Sequence, residues 1–350
     1  MLEAWEGQPA PRLYGYTARN VAQALSRVAR GDSYRGASAA VRSVAGRELD
    51  TRPSKTRAGH PLAPANQHGQ LVADWTETFA PVIWREYAPT SWPARVAIDS
   101  VQFRLTHTRN KVTTKYKFHV LAAFGYDSGG RPYLAAIEAV PRATEHAWRA
   151  FLRRMPGEPA LVVSDGGQPF AAATQVFTGA TEVRRCEWHL AKNVGDNLPE
   201  AVRRDASDPL HGLLRRAQRS EEAWETFREA LTARSAAKRG FLGAMSMTRR
   251  IDPIVRAQIL TRTELGPNST GAVEEFFAST LRPTIAPRAQ RMSNKIRADA
   301  FLLLLAAQRN GWADETKWTT VIHDHLVKLQ GQAPQQRQHT DAAATPSLWS

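Results

Sequence analysis

Three acidic residues, far apart in the chain, stand where phosphoryl-transfer chemistry would need them. Asp165 follows the apolar run Leu161-Val162-Val163-Ser164 and precedes two glycines, and Asp99 closes a second apolar run, Val96-Ala97-Ile98. Glu274 lies beside an apolar stripe of Val273, Phe276, Phe277 and Leu281. At about 100° per residue, Glu274 falls at the margin of that stripe, where a helix meets a cleft, and Glu275 points away from it. Carboxylates gathered at one place repel unless cations sit between them, and hard oxygen donors suit Mg2+ or Mn2+. Two such ions about 3.5–4 Å apart activate the attacking oxygen and stabilise the leaving one in an in-line displacement. Each acid alone has a blander reading: a turn-former for Asp165, a strand end for Asp99, a surface position for Glu274. The expectation rests on their joint placement.

The elements that must position them follow from the hydrophobic period. Arg95–Asp99 reads as a short buried strand, Tyr116–Tyr126 as a longer one, Asp127–Gly130 as a turn and Tyr133–Val140 as a third strand. Thr144 caps a helix carrying Trp148, Phe151, Leu152 and Met155. Ala160–Ser164 is apolar throughout, as a central strand covered on both faces should be. A helix near Pro169–Phe177, a strand near Thr181–Cys186 and a helix from about Trp188 come next. Three antiparallel strands followed by alternating helix and strand predict an α/β fold, an RNase H-like five-stranded mixed sheet flanked by helices. Asp99 and Asp165 would then share one edge of the sheet.

Around this core the chain divides by composition. Residues 1–46 carry two short helices, with Thr17 and Ser33 as caps, and read as a helix-turn-helix that offers Arg35 and Arg42 to a duplex. Residues 47–94 read as a basic linker and a connecting helix from about Leu71 to Tyr87. The core occupies 95–194, is interrupted by an all-helical, strongly charged insertion over 195–266, and resumes in final helices over 267–330. Residues 331–350 read as a disordered tail.

The net charge of +14 and pI of about 10.4 favour a polyanionic partner. Lys111, Lys115 and Lys117, Arg184 and Arg185, and Arg282, Arg288 and Arg291 flank the acids in sequence and are expected to hold DNA phosphates. Arg104, Arg109, Lys295 and Arg297 belong to the same distribution. A single cysteine, Cys186, excludes an intrachain disulfide and a cysteine-built zinc ribbon. No apolar run approaches the roughly 18 residues of a membrane span. A protein at work in the cytoplasm, associated with the nucleoid, is expected.

Asp99, the run Val163-Ser164-Asp165-Gly166 with Phe170, Cys186-Glu187-Trp188-His189 with Asn193, and Asn268-Ser269-Thr270-Gly271-Ala272-Val273-Glu274 resemble the Mutator-like DDE transposases of bacterial insertion sequences. The resemblance covers Arg95 to Gly311. It implies an RNase H-like core, interrupted before its third acid, that cuts and joins DNA at element ends with two Mg2+ or Mn2+ ions. Carried over by position, the catalytic and metal-binding triad is Asp99, Asp165 and Glu274, and Cys186 with His189 is an accessory motif. That pair either packs and orients beside the site or brings His189 to a substrate phosphate; a zinc site would need two further ligands, for which His107, His119 and His146 are candidates in principle. The partners implied are terminal inverted repeats, target DNA and further copies of the chain. Two other readings are open: a transposase-derived DNA-binding regulator that does not cut, and an RNase H-like nuclease that cuts without joining.

Overall fold

The computed structural model describes Leu13 and residues 15–50, 68–109, 111–237, 239–260 and 268–331. Most of the expected basic linker, the Gly266-Pro267 breaker and all but the first residue of the expected tail lie outside the described residues, as do the side chains of His107, Arg109 and Arg291. Helices α1 (Ala18–Ala29), α2 (Tyr34–Asp50) and α3 (His68–Tyr87) lead into a sheet of β1 (Arg95–Arg109), β2 (Val112–Tyr126), β3 (Pro132–Val140), β4 (Leu161–Ser164) and β5 (Glu182–Arg185). The spatial order is β3-β2-β1-β4-β5. The first three strands are antiparallel neighbours; β4 runs parallel to β1, and β5 parallel to β4. Helices α4 (Glu145–Leu152) and α5 (Gly167–Val176) make the crossovers.

One difference from the sequence expectation bears on function. The first strand does not stop at Asp99 but continues to Arg109, and its partner begins at Val112 rather than near Tyr116. The continuous apolar run ends at Asp99, but an alternation replaces it. Val101, Phe103 and Leu105 are buried against Phe118 and Val120, and the intervening Gln102 and Arg104 face the other way. The result is a long ribbon, apolar on one face and basic on the other.

Each face of the sheet has its own core. Trp148, Phe151 and Leu152 of α4, with Ala172 and Ala173 of α5, cover Val96, Ile98, Leu121 and Ala123. The opposite face holds Ala97, Val101, Phe103, Val120 and Phe124, and the N-terminal helices join that same core through Val21, Leu25, Val28, Trp75 and Phe79. Thr17 does cap α1, in a reciprocal pair with Asn20 (3.2 and 3.0 Å), and Ser33 Oγ accepts from the Gly36 N–H at 3.0 Å.

After β5 the chain is all-helical: α6 (Glu187–Gly195), α7 (Glu200–Arg204), α8 (Pro209–Arg216), α9 (Glu221–Ala237) and α10 (Leu242–Leu260). These bury a separate core of Leu190, Val194, Leu214, Trp224, Phe227, Leu231 and Val255. Gln258 fastens it to the sheet: its carboxamide accepts from the Arg185 N–H at 3.1 Å and donates to the Arg185 carbonyl at 3.0 Å. The chain returns in α11 (Gly271–Phe276), a π turn over Phe277–Leu281, α12 (Arg282–Ile285), α13 (Lys295–Arg309) and α14 (Glu315–Gly331). No helix among the described residues is long and apolar enough to cross a membrane.

Helix α13 is buried from Ala298 to Ala307, Asp299 included. That carboxylate accepts from the Ala139 N–H at 2.8 Å and from Lys295 Nζ at 2.8 Å, while Lys295 also donates to Glu138 and to the Ala139 carbonyl. Asp299→Ala should cost about 2–4 kcal/mol by orphaning the Ala139 N–H and uncoupling Lys295. Asp299→Asn, which keeps the backbone acceptor and loses an ion pair whose lysine is partly solvated, should cost clearly less. Urea unfolding of the two variants measures the difference, and equal losses would refute the account.

Candidate active site

The parallel register of β1 and β4 ends with Ile98 opposite Ser164, so the next residue on each strand is an aspartate. Asp99 shares the face of Ala97 and Val101, and Asp165 that of Leu161 and Val163, so the two acids leave the same edge on the same side. Asp99 Oδ1 accepts from the Ser100 N–H at 2.7 Å. Beyond Asp165 the chain turns through Gly166 and Gly167, both with positive φ (107° and 61°). A Cβ on Gly166 would lie 2.5 Å from Arg185 Nε, because the guanidinium rests over this turn and donates to the Asp165 carbonyl at 2.8 Å. Arg185 thereby holds the backbone of the loop that presents the acid.

Glu274 arrives from the other side of the insertion. Asn268, fully buried, accepts the Glu187 N–H on its carbonyl at 2.8 Å and donates its side-chain amide to Glu187 Oε1 at 3.0 Å. Arg184 donates to Asn268 Oδ1 at 3.3 Å. The returning chain is thus docked on the start of α6. Thr270 precedes α11 without capping it; its buried hydroxyl donates to Glu274 Oε1 at 2.8 Å and lies 3.4 Å from His189 Nδ1. Glu274 is half-buried and Glu275 exposed, the orientation that the helical period implies. His189 Nδ1 is 3.7 Å from Glu274 Oε1. Exposed Trp188 meets the His189 ring edge-on at 4.8 Å.

These groups share one electrostatic neighbourhood. Burial, then the Asp165 carboxylate, pushes Asp99 up to about 7, against the Ser100 N–H and His189, with Glu274 adding to the rise. Burial also raises Asp165, opposed by His189 and Arg185 and reinforced by Glu274. Burial acts to raise the Cys186 thiol, yet hydrogen bonds from His189 and Thr270 carry it below its ordinary value. His189 is raised in turn, chiefly by its bond to Cys186. The oxygen donors of Asp99, Asp165 and Glu274 are of the kind that fits divalent metal ions.

The structure sorts the other expected side chains. Arg35, Lys111, Lys115, Lys117 and Arg282 are exposed and Arg42 is half-buried. Arg184 is not on the surface: its side chain is 1% exposed and donates to Glu182 at 2.7 Å, because β5 directs it inward to meet Asn268. Arg288 is also committed internally, donating to the carbonyls of Thr284, Gly31 and Asp32, so that it ties the α1–α2 turn to the chain after α12. Lys295 serves the buried Glu138 and Asp299, and Arg297 the half-buried Glu77. His119 pairs with Gln102 and His146 is exposed; among the described residues, the third donor beside Cys186 and His189 is Glu274. Sequence reasoning assigns Thr270 and Asn268 no separate roles, and only their place in the stretch before Glu274 hints at any. It also misses a cleft of 640 Å3 lined by Lys117, His119, Arg142, Thr144 and Gln168, which three distant segments build together.

Residues 89–242 match the family model described as Transposase, Mutator family. The matched stretch contains Asp99, Asp165, Cys186 and His189 and ends before Glu274. The transposase for insertion sequence element ISRM5 of Rhizobium meliloti (strain 1021) is 32% identical over 106 residues, which cover 29% of this chain and 27% of that relative. Over the matched segment the chain is therefore similar to the family to which its motifs point.

The folded value of Asp99, about 7, exceeds the roughly 3.9 of an unfolded aspartate. The folded state then keeps a proton that the unfolded state has lost, and stability falls as pH rises between those values, by up to about 1.4 kcal/mol per pH unit. In metal-free protein, Asp99→Asn should flatten this decline in thermal unfolding followed from pH 4 to pH 8. An unchanged slope would remove Asp99 from the crowded set.

Proposed function

We propose that the chain is a DDE transposase with an RNase H-like core, cutting DNA at the ends of an insertion sequence and joining the freed 3′ end to a target. The observation that supports this reading is the β1–β4 register, which carries Asp99 and Asp165 off one sheet edge, with Glu274 acting electrostatically on both. The similarity of residues 89–242 to Mutator-family transposases supports it. Asp99, Asp165 and Glu274 would hold two Mg2+ or Mn2+ ions, which when bound supply an activated oxygen nucleophile and charge neutralisation at the phosphate. The chain's own contribution is placement. The β1–β4 register sets the spacing of the aspartates, Arg185 holds the Gly166 turn, and Thr270 orients the Glu274 carboxylate.

The basic ribbon gives the duplex a track. Arg104, Lys115 and Lys117 share the face turned away from the apolar core, and the 640 Å3 cleft continues it through His119 and Arg142 to Gln168, close behind the Asp165 turn. No acidic side chain lines that cleft among the described residues. Phosphate contacts of this kind position a duplex without reading its sequence. With Arg35, Arg42, Lys111 and Arg282 they would hold terminal inverted repeats and target DNA, on which further copies of the chain assemble.

Two experiments test this. Purified protein with Mg2+ or Mn2+ and its element ends should cleave them; Asp99→Asn, Asp165→Asn and Glu274→Gln should each abolish cleavage and retain DNA binding. Full activity in any variant excludes that residue, and metal-independent binding without cleavage by the wild type points to a regulator. Separately, Lys117→Glu with Arg142→Glu should weaken duplex binding and make the plot of log affinity against log salt shallower by about 0.9 for each phosphate no longer neutralised. An unaltered salt slope would place the duplex elsewhere.

A further inference from the structure

Cys186, His189 and Glu274 offer a sulfur, an imidazole nitrogen and a carboxylate oxygen, all within 4.8 Å of one another. Helix α6 supplies the first two, Cys186 at its N-cap and His189 in its first turn, and α11 brings the third across. We propose that these three residues form a site for a thiophilic divalent cation of the zinc class, distinct in chemistry from the hard-ion set of Asp99, Asp165 and Glu274.

The donors carry the argument. Mg2+ takes oxygen ligands and leaves a thiolate and an imidazole unused, whereas Zn2+ binds sulfur, nitrogen and carboxylate oxygen together. Three protein ligands with a fourth position for water is a common zinc arrangement. With bonds of about 2.0–2.3 Å, tetrahedral ligands lie about 3.3–3.8 Å apart. The 3.7 Å between His189 Nδ1 and Glu274 Oε1 is a few tenths of an ångström longer than a tetrahedral nitrogen–oxygen pair, and the sulfur lies within 4.8 Å of both, so small side-chain movements close the set. Cys186 is fully buried, but the side chains of His189 and Glu274 are 22% and 33% exposed, which gives an ion a way in.

The site has a regulatory consequence, which rests on the transposase reading. Glu274 is common to both sets, so a zinc-class ion held by Cys186 and His189 draws its carboxylate toward α6, away from Asp99 and Asp165, and suppresses cleavage. The two ion classes compete through a single carboxylate.

Titration of the full chain with Co2+ tests the site itself. One equivalent should bind with a thiolate-to-cobalt charge-transfer band, be displaced by Zn2+, and lose the band in Cys186→Ser. His189→Gln and Glu274→Gln should each weaken binding at least tenfold, and Zn2+ should raise the thermal midpoint of the wild type but not of Cys186→Ser. Absence of the band in wild-type protein, or binding unchanged in His189→Gln and Glu274→Gln, overturns the proposal. In the cleavage assay, one equivalent of Zn2+ should suppress Mg2+-supported cutting and a chelator restore it; Zn2+ bound without suppression overturns the regulatory part. Failure to cleave under every metal condition would count against the transposase reading and leave the cobalt result standing.

Discussion

Two carboxylates on neighbouring parallel strands cannot both be charged and close without something positive between them. In this protein the register of β1 against β4 leaves no alternative, since Asp99 and Asp165 each follow the last residue of the β1–β4 pairing, Ile98 and Ser164. Burial removes most of the water that would otherwise screen them, and Asp99 moves up to about 7 as a result. The Arg185 guanidinium relieves the conflict only in part. It opposes the rise of Asp165, yet its hydrogen bond goes to the Asp165 backbone carbonyl, where it steadies the turn. The remaining repulsion is of the kind that a bound cation would relieve.

Much of the placement around that conflict depends on atoms that are absent. Gly166 has no Cβ, so the Arg185 guanidinium can lie against the turn. With any other residue the guanidinium would have to shift from its position 2.5 Å from the added carbon, and the φ of 107° would strain the backbone whatever the space. A similar trade is made at Thr270. A hydroxyl at the start of a helix usually accepts from the backbone of the first turn. Here it donates to Glu274 instead, giving up the cap to aim the acid.

The sheet and the place of both aspartates at its edge were legible because they rest on local signals. Val96-Ala97-Ile98 and Leu161-Val162-Val163 are buried runs with no other use, and three strands before an alternating helix–strand series leave few ways to arrange them. That Glu274 is half-buried and Glu275 exposed was legible from helical period alone. The basic residues were not sortable in this way. Arg184 and Arg185 are adjacent in sequence and the strand sends them to opposite fates, one inward to Asn268 and the other onto the Gly166 turn. Charge by itself does not distinguish a phosphate ligand from a buried strut, because burial of an arginine depends on partners such as Glu182 or the Gly31 carbonyl that lie elsewhere in the chain. The full length of β1 was hidden for a different reason: its second half alternates where its first half is continuously apolar.

The third acid raises the question of how a centre tolerates a long excursion between its second and third members. The answer lies in where the excursion begins and ends. The Glu187 N–H donates to the Asn268 carbonyl, and Asn268 returns a bond to the Glu187 side chain, so the departing and returning chain meet at the start of α6. The residues between them bury their own core around Trp224 and Phe227 and touch the sheet through Gln258. Closing such a loop costs entropy that grows slowly, about 0.6 kcal/mol for each doubling of length. The position of Glu274 is therefore set by Asn268 and Thr270, which hold it to α6 directly, and the insertion has only to fold without pulling its ends apart. On that view the accuracy of the site is a property of the junction between Cys186–His189 and Asn268–Glu274, the same few residues on which hard and thiophilic ions would compete.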